Sequence, residues 1–370
     1  MTVLDTDVCI VGAGPGGALL GLLLARAGVS TVLLERHESI NKEFRGEHLN
    51  QEGKEILEEA GLYASLQKMG LLPMEEVEYV QKGRTIKKVF PDKGLTHTGI
   101  HVPQSHLLKV ILDEAKRVPT FQLFLNSRVM DILSFENKES TSVIVLMNGV
   151  KTEIRSRIIV GADGRFSTIR KKANFPVTSI SHGYDLLWAR VPAPANWRPT
   201  IKMVLAKDQQ LALFTQYGNY IQIGWNIPEN SFSSIRKESF QPFIQTLVGE
   251  VPELEQTVRK HIQSWKDFVL LKVVSSKSST WVQDNVVLLG DAAHTMSPTG
   301  AFGLNSALKD AEVLAKIIPD IISNKQDIRT LKRYEERRMS KVDAIQMEQL
   351  QREANFKNHF LFDNREKVGM

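Results

Sequence analysis

The run Gly12-Ala13-Gly14-Pro15-Gly16-Gly17 restricts the fold more than any other feature of the chain, because it is a G-x-G-x-x-G set between two apolar segments of different periodicity. Asp5 to Val11 reads as a buried strand, Gly17 to Ala27 as a helix ended by Gly28, and Ser30 to Leu34 as a second strand. In such a β-α-β unit Gly12 permits the tight turn, Gly14 lets backbone approach a pyrophosphate, and Gly17 lets the helix close on the sheet. The helix N-terminus, with its unpaired N–H groups and positive dipole end, then receives the anion. Glu35 closes the second strand, where an acid accepts hydrogen bonds from the ribose hydroxyls of an adenosine.

The same stretch has a competing explanation. From Val8 to Leu34 the only charge is Arg26, so hydropathy alone resembles a secretory leader or a membrane span. Asp5 and Asp7 stand where a leader would be basic, and six glycines from Gly12 to Gly28 interrupt the run, so strand-turn-helix-strand accounts for it better. No transmembrane segment is expected. The single cysteine, Cys9, excludes an intrachain disulfide and reads as a buried, inert thiol, so the expected location is cytoplasmic. The formal net charge of +5 over 370 residues comes from scattered basic side chains, which gives no support to nucleic-acid binding. With 42% hydrophobic residues the chain can bury a core shared by two domains.

Periodicity gives the rest of the organisation. Val77 to Gln81 and Thr85 to Phe90 form an expected hairpin around Lys82-Gly83, and Ser105 caps an expected helix running to Arg117. Between Pro176 and Ser276 the pattern becomes β-rich, as in Leu211 to Thr215 and Tyr220 to Asn226, with a helical stretch near Phe240 to Val248: an inserted, mostly antiparallel layer. A buried strand, Val286 to Leu289, then returns to the first domain, followed by a long helix stopped by Pro319 and another from about Thr330 to Glu353. Phe356, Phe360 and Phe362 either pack back on the chain or meet a partner. The expected domains are therefore 1–75, 103–175 and 277–325 for the nucleotide, 76–102 and 176–276 for the inserted layer, and 326–370 for a C-terminal helical segment.

Two further constellations follow the first in order. Gly161-Ala162-Asp163-Gly164-Arg165-Phe166-Ser167-Thr168-Ile169-Arg170 comes directly after the buried strand Arg157 to Val160. Gly290-Asp291-Ala292-Ala293-His294 leads into Pro298-Thr299-Gly300-Ala301-Phe302-Gly303-Leu304-Asn305, with Asp310 beyond and Tyr334-Glu335-x-x-Arg338 further on. With these residues the chain resembles the flavin-dependent hydroxylases grouped around para-hydroxybenzoate hydroxylase, over most of its length except the middle layer.

The resemblance implies an α/β fold: a Rossmann-like FAD-binding domain with an inserted β-sheet substrate domain and a C-terminal helix. It implies tightly held, non-covalent FAD touched by Gly12, Gly14, Pro15, Gly16, Gly17, Glu35, Arg36, Arg45, Gln104, Val129, Asp163, Gly290, Asp291, Pro298 and Gly300. Asp291 is to meet the ribityl chain, and the backbone N–H groups from Gly303 through Leu304 to Asn305 are to face the flavin pyrimidine ring. Physics agrees with the last point, since reduced flavin is anionic there and a helix N-terminus supplies positive potential. His294 is read as orienting its loop.

Only one G-x-G-x-x-G is present, so NAD(P)H is expected as a transient co-substrate. The implied reaction is reduction of FAD, capture of O₂ as a flavin C4a-hydroperoxide, and hydroxylation of a small aromatic substrate, with the flavin rather than any assigned side chain doing the chemistry. The inserted layer acts as the lid that excludes water. Its candidate substrate contacts are Phe214, Gln216, Tyr217 and Trp225, with Pro298 from the flavin loop; no metal is expected, and the chain is a monomer or homodimer. Rival readings are a halogenase, a geranylgeranyl-reductase type and a flavin-binding module without catalysis. Gly224-Trp225-Asn226-Ile227-Pro228 resembles the halogenase W-x-W-x-I-P, but Ile223 replaces its first tryptophan, which argues against halogenation.

Overall fold

The computed structural model describes residues 2–40, 46–134 and 140–360 and divides into two compact units. Arg45 and Phe362 lie outside the described residues. The first unit comprises Met1–Gly70, Val102–Ile180 and Val274–Gln346. Its sheet runs in the order Val286–Leu288, Val150–Gly161, Thr2–Val11, Thr31–Leu34, Phe121–Phe124, with all four adjacent pairs parallel. Val8 to Val11 and Thr31–Leu34 are buried throughout, as expected of central parallel strands covered on both faces. Val150–Gly161 also pairs antiparallel with Thr141–Met147, which pairs with Ser127–Ser134, through a turn with positive φ at Asn148 and Gly149.

The helix Pro15–Arg26 is buried at nine of its 12 positions and packs against the helices Gln104–Ala115 and Phe302–Ala315. Gly16 makes the second contact possible: a Cβ there would lie 2.5 Å from Leu289 Cδ2 and 3.0 Å from the Ala307 carbonyl. Two expected boundaries move. The helix assigned to Ser105 starts at Gln104, with no side-chain cap, so Ser105 lies inside its first turn. The helix assigned a stop at Pro319 ends at Ala315; Pro319 instead sits in the first turn of a separate helix, Ile318–Ile322, where its missing N–H breaks no bond.

Cys9 is fully buried in the central strand, and burial pushes its thiol up to about 12. The neutral thiol is therefore retained through the ordinary range in which an exposed cysteine ionises. A disulfide-type thiol reagent at pH 8 is expected to label about none of the native protein and all of it in denaturant, read by absorbance. Among the described residues no helix is long and apolar enough to cross a membrane.

The second unit comprises Leu71–His101, Ser181–Val273 and Met347–Met370. Its strands lie in the order Val177–Pro192, Tyr220–Pro228, Gln209–Gln216, Thr200–Ala206, Glu76–Gln81, Arg84–Val89. All these neighbours are antiparallel except Thr200–Ala206 beside Glu76–Gln81. The hairpin turn carries φ of 52° at Lys82 and 69° at Gly83, the left-handed pair that a two-residue connection needs.

The alternation of a strand separates the two faces of this sheet. One face carries Leu187, Ala189, Val204, Leu211, Leu213, Ile221, Ile223, Trp225 and Ile227, and packs with Ile244, Leu247, Val258 and Phe268 of the covering helices and their flanks. The register places Trp188, Phe214, Gln216, Gln222, Gly224 and Asn226 on the other face. Near the chain end, buried Phe360 meets the Tyr79 ring edge-on at 5.6 Å, so this aromatic packs back, as one of the two sequence readings had it.

Candidate functional site

In the first unit the three glycine-bearing segments are brought to neighbouring strand ends. Gly12, at φ +109°, closes against the second segment: a Cβ on it would lie 2.4 Å from the Ala162 carbonyl oxygen and 2.8 Å from Asp163 Cα. A Cβ on Gly17 would lie 2.1 Å from the Gly12 carbonyl oxygen. Gly14 differs, since a Cβ would meet no protein atom within 4 Å. Gly14 caps the helix with extended backbone, no side chain caps that helix end, and Pro15 follows in the first turn. Bare backbone, open space and a positive dipole end suit a pyrophosphate.

Glu35 follows the second strand and is 5% exposed. Its Oε2 accepts the Ala13 N–H at 3.1 Å and its Oε1 the His37 N–H at 3.0 Å, so the carboxylate fixes the glycine loop to the strand end. Sequence reasoning assigned Glu35 only a ribose; the structure adds this loop-holding role. Arg36 next to it is exposed and donates to the His37 ring at 3.1 Å. Val129 is buried opposite Val145, and Gln104 is buried at the start of its helix.

Asp163 folds the second segment. It accepts the Ser167 hydroxyl at 2.5 Å and the N–H groups of Thr168 at 2.6 Å and Ile169 at 3.2 Å, at the start of the short helix Thr168–Lys172. Burial pushes its carboxyl up from the usual range, against these three bonds, which favour the charge. Arg170, which the motif includes but to which the sequence assigns no role, is buried and donates to the carbonyls of Ala292 at 2.8 Å and Arg165 at 2.7 Å. It thereby ties the second segment to the third.

The third segment turns at Gly290, φ +58°, into a 3-10 turn that contains the half-buried Asp291. The chain continues through Pro298 to Gly300 at φ +76° and Ala301 at φ 54°, and the helix Phe302–Ala315 begins there with no side-chain cap. A Cβ on Gly303 would meet nothing within 4 Å, so this helix start also presents bare backbone. Leu304 is buried. The Asn305 side chain binds backbone of another segment as well as its own. Its Oδ1 accepts the Asn50 N–H at 3.1 Å, and its Nδ2 donates to the carbonyls of His48 at 2.9 Å and Ala301 at 3.1 Å. Gly53 is required beside it, because a Cβ there would lie 2.2 Å from Asn305 Oδ1. Burial pushes the His48 imidazole down to about 4, so it is neutral at pH 7.

Behind the third segment lies a buried ionic cluster. Asp310 Oδ2 accepts from Gly290 N–H at 3.1 Å and His294 Nε2 at 2.7 Å, and its Oδ1 accepts from Arg338 Nε at 2.7 Å. Burial opposes the Asp310 charge, yet His294 and Arg338 together hold its carboxyl below the usual range. Tyr334 donates to the Leu288 carbonyl at 3.0 Å, and Glu335 accepts the N–H groups of Trp281 and Val282 at 2.6 and 3.1 Å. The Tyr334-Glu335-x-x-Arg338 spacing is thus explained by three anchors from one helix, Lys332–Ala354.

In the second unit Phe214 is half-buried beside Trp188, with ring centroids 6.2 Å apart, and Gln216 bonds the Gln222 amide. Tyr217 is exposed in the turn after its strand. Trp225, grouped with these as a substrate contact, lies instead in the helix-covered core: it is 2% exposed, stacks on Phe243 at 3.8 Å and donates to Gln209 Oε1 at 2.8 Å. Strand alternation is the reason, since Trp225 shares the parity of Ile223 and Ile227 rather than that of Gln222.

A parallel α/β sheet with a pyrophosphate-type glycine cradle, and an acid-bearing turn leading to an uncapped helix, form the arrangement of a dinucleotide-binding flavoprotein, and its relatives place it among the FAD-dependent monooxygenases. Comparison places it more narrowly: residues 5–349 match the family described as FAD binding domain, and the chain belongs to that family. It is 32% identical over 311 residues to 6-methylpretetramide 4-monooxygenase of Streptomyces rimosus, covering 83% of this chain and 73% of that protein. To p-hydroxybenzoate hydroxylase of Acinetobacter baylyi it is 26% identical over 86% of this chain and 78% of the relative. The solved p-nitrophenol 4-monooxygenase of Pseudomonas putida shares the fold, with a TM-score of 0.81 at 19% identity over 100% of this chain and 92% of the other.

Proposed function

We propose that the chain hydroxylates a small aromatic substrate, using NAD(P)H as transient reductant and O₂ as the oxygen source. FAD bound in the first unit supplies the redox chemistry: electrons pass from NAD(P)H to O₂, one oxygen atom enters the substrate and the other leaves as water. The observation that carries the aromatic substrate is the sheet face of Trp188, Phe214, Gln216 and Gln222, which joins half-buried rings to paired amides. Rings offer offset or edge contacts to an arene, and amides satisfy a ring hydroxyl or carbonyl. Relatives named for p-hydroxybenzoate and p-nitrophenol support the same class. Ile223, at the position of the first halogenase tryptophan, is a core residue, and no observation favours that rival.

The test is a panel of phenols and other arenes, followed by NAD(P)H oxidation and H₂O₂ release. At least one member is expected to accelerate NAD(P)H oxidation with H₂O₂ well below the NAD(P)H consumed. If none accelerates it, or if H₂O₂ always equals the NAD(P)H consumed, the proposal is wrong.

The cofactor residues divide the work. The backbone of Gly14 and Gly303 gives anion-binding N–H groups, and Asp291 accepts from a ribityl hydroxyl. A hydrogen bond to a charged group contributes roughly 1.5–3 kcal/mol, so Asp291→Ala is expected to weaken FAD binding by about 10- to 100-fold. Fluorescence titration of the stripped protein checks it, and unchanged affinity removes Asp291 from the site.

A further inference from the structure

The buried acid behind the third segment has no part in the chemistry proposed above, yet it is bonded to that segment at Gly290 and His294 and stands on the helix that follows it. Asp310 stands on the helix whose start presents bare backbone at Gly303. With one oxygen it holds Gly290, the residue before Asp291, and His294, the residue from which the loop to Gly300 departs. We propose that Asp310 is a positioning residue for FAD: it fixes the Asp291 turn and the flavin-side helix start at one separation, while Arg338 holds the carboxylate in place.

Three observations support this over a purely structural role. The acid is 0% exposed and its partners His294 and Arg338 are buried as well; a buried ion pair such as Asp310 with Arg338 commonly adds little to stability, because desolvating the charges offsets their attraction. Apolar replacements of such clusters are often neutral or stabilising, so stability alone is a weak reason to have one. Among the described residues His294 Nδ1 is buried with no hydrogen-bond partner, so the ring is held through its Nε2 bond to Asp310. Arg338 also reaches the Ser306 carbonyl at 3.5 Å, in the second turn of the same helix, so the cluster grips that helix at two points.

Asp310 and Arg338 cancel in charge, which allows a clean test. The pair variant Asp310→Leu/Arg338→Met removes the cluster without changing net charge. The full-length protein, stripped of FAD, is expected to melt within a few degrees of the wild type and to bind FAD at least tenfold more weakly. Reduced FAD should lose more affinity than oxidised FAD, because the helix N–H groups matter most to the anionic reduced form. A further tenfold loss for the reduced form moves the midpoint potential about 30 mV more negative. Wild-type affinity and potential in the pair variant would overturn the proposal. So would an equal loss of FAD affinity in Leu247→Ala, a destabilising change in the core of the second unit, since that would trace the effect to stability.

If the pair variant does not fold, His294→Leu and His294→Gln decide the question. Leu removes the donor to Asp310 and should weaken FAD binding, whereas Gln keeps an N–H at the Nε2 position and should restore it. Wild-type binding by His294→Leu would contradict the proposal. The inference rests on FAD binding to the first unit and not on the hydroxylation reading, and these titrations need neither substrate nor NAD(P)H. A wild-type protein that binds no FAD would instead remove the cofactor from the proposed function itself.

Discussion

Gly17→Ala is expected to yield a protein that retains no FAD and unfolds at a clearly lower temperature, whereas Gly14→Ala should fold normally and still lose FAD. The difference lies in what each new methyl group meets. At Gly17 it would stand 2.1 Å from the Gly12 carbonyl oxygen, far inside contact distance, so the loop must move away from the helix. Overpacking of this kind costs about 1–3 kcal/mol, and more where backbone has to shift. At Gly14 the methyl group meets no protein atom, and φ of −71° suits any residue, so the fold tolerates it. It would instead fill the space through which a pyrophosphate approaches the backbone, and at least a tenfold rise in the FAD dissociation constant is expected. Thermal melting and FAD titration of the two variants separate the outcomes. A Gly14→Ala protein with full FAD affinity would show that the pyrophosphate does not lie over that residue.

The second large effect is on stability. Trp225→Ala removes an indole stacked on Phe243 at 3.8 Å and leaves Gln209 without its donor, at a site where neighbouring side chains are fully buried. Large-to-small replacement of a core tryptophan costs roughly 3–5 kcal/mol. Phe214→Ala, on the other face of the same sheet, should cost much less and, if the proposed function holds, raise KM for the proposed aromatic substrate. Denaturant midpoints measure the first effect and steady-state kinetics the second. Equal destabilisation by the two substitutions would mean that the two faces do not differ as described.

What the sequence displayed well is what backbone chemistry dictates locally. The strand ending at Val11, the helix through Arg26 and the strand Thr31–Leu34 follow from apolar runs punctuated by glycine, and the Lys82-Gly83 turn follows from the residue types flanking it. Pro319 misled because proline forbids a helix interior but is at ease in a first turn, and one position cannot distinguish the two. The two faces of the inserted sheet were illegible for another reason. Its strands carry large side chains at both parities, as with Phe214 beside Leu213 and Trp225 beside Asn226, and only the covering helix decides which are core.

The candidate site was legible as motifs but not as a network. The glycines of the first segment could be named from their spacing, and Asp163 and Asp291 from the family resemblance. That Asp310 joins Gly290, His294 and Arg338 could not, since the contacts cross from a turn to two different helices and the charged residues read singly as solvated charges, His294 as a loop histidine. Arg170 was missed likewise: its partners are carbonyl oxygens, which leave no mark in a sequence. A faint signal was present, because a lone arginine or aspartate on an otherwise apolar helix face usually has a buried partner.

The central claim is that the three segments of the first unit build one FAD site. Titrating the stripped full-length protein with FAD, followed by flavin fluorescence and visible absorbance, tests it most directly. One FAD per chain is expected, with a dissociation constant in the micromolar range or below and a yellow complex that survives gel filtration. A correctly folded protein that takes up no FAD under any condition would contradict the account.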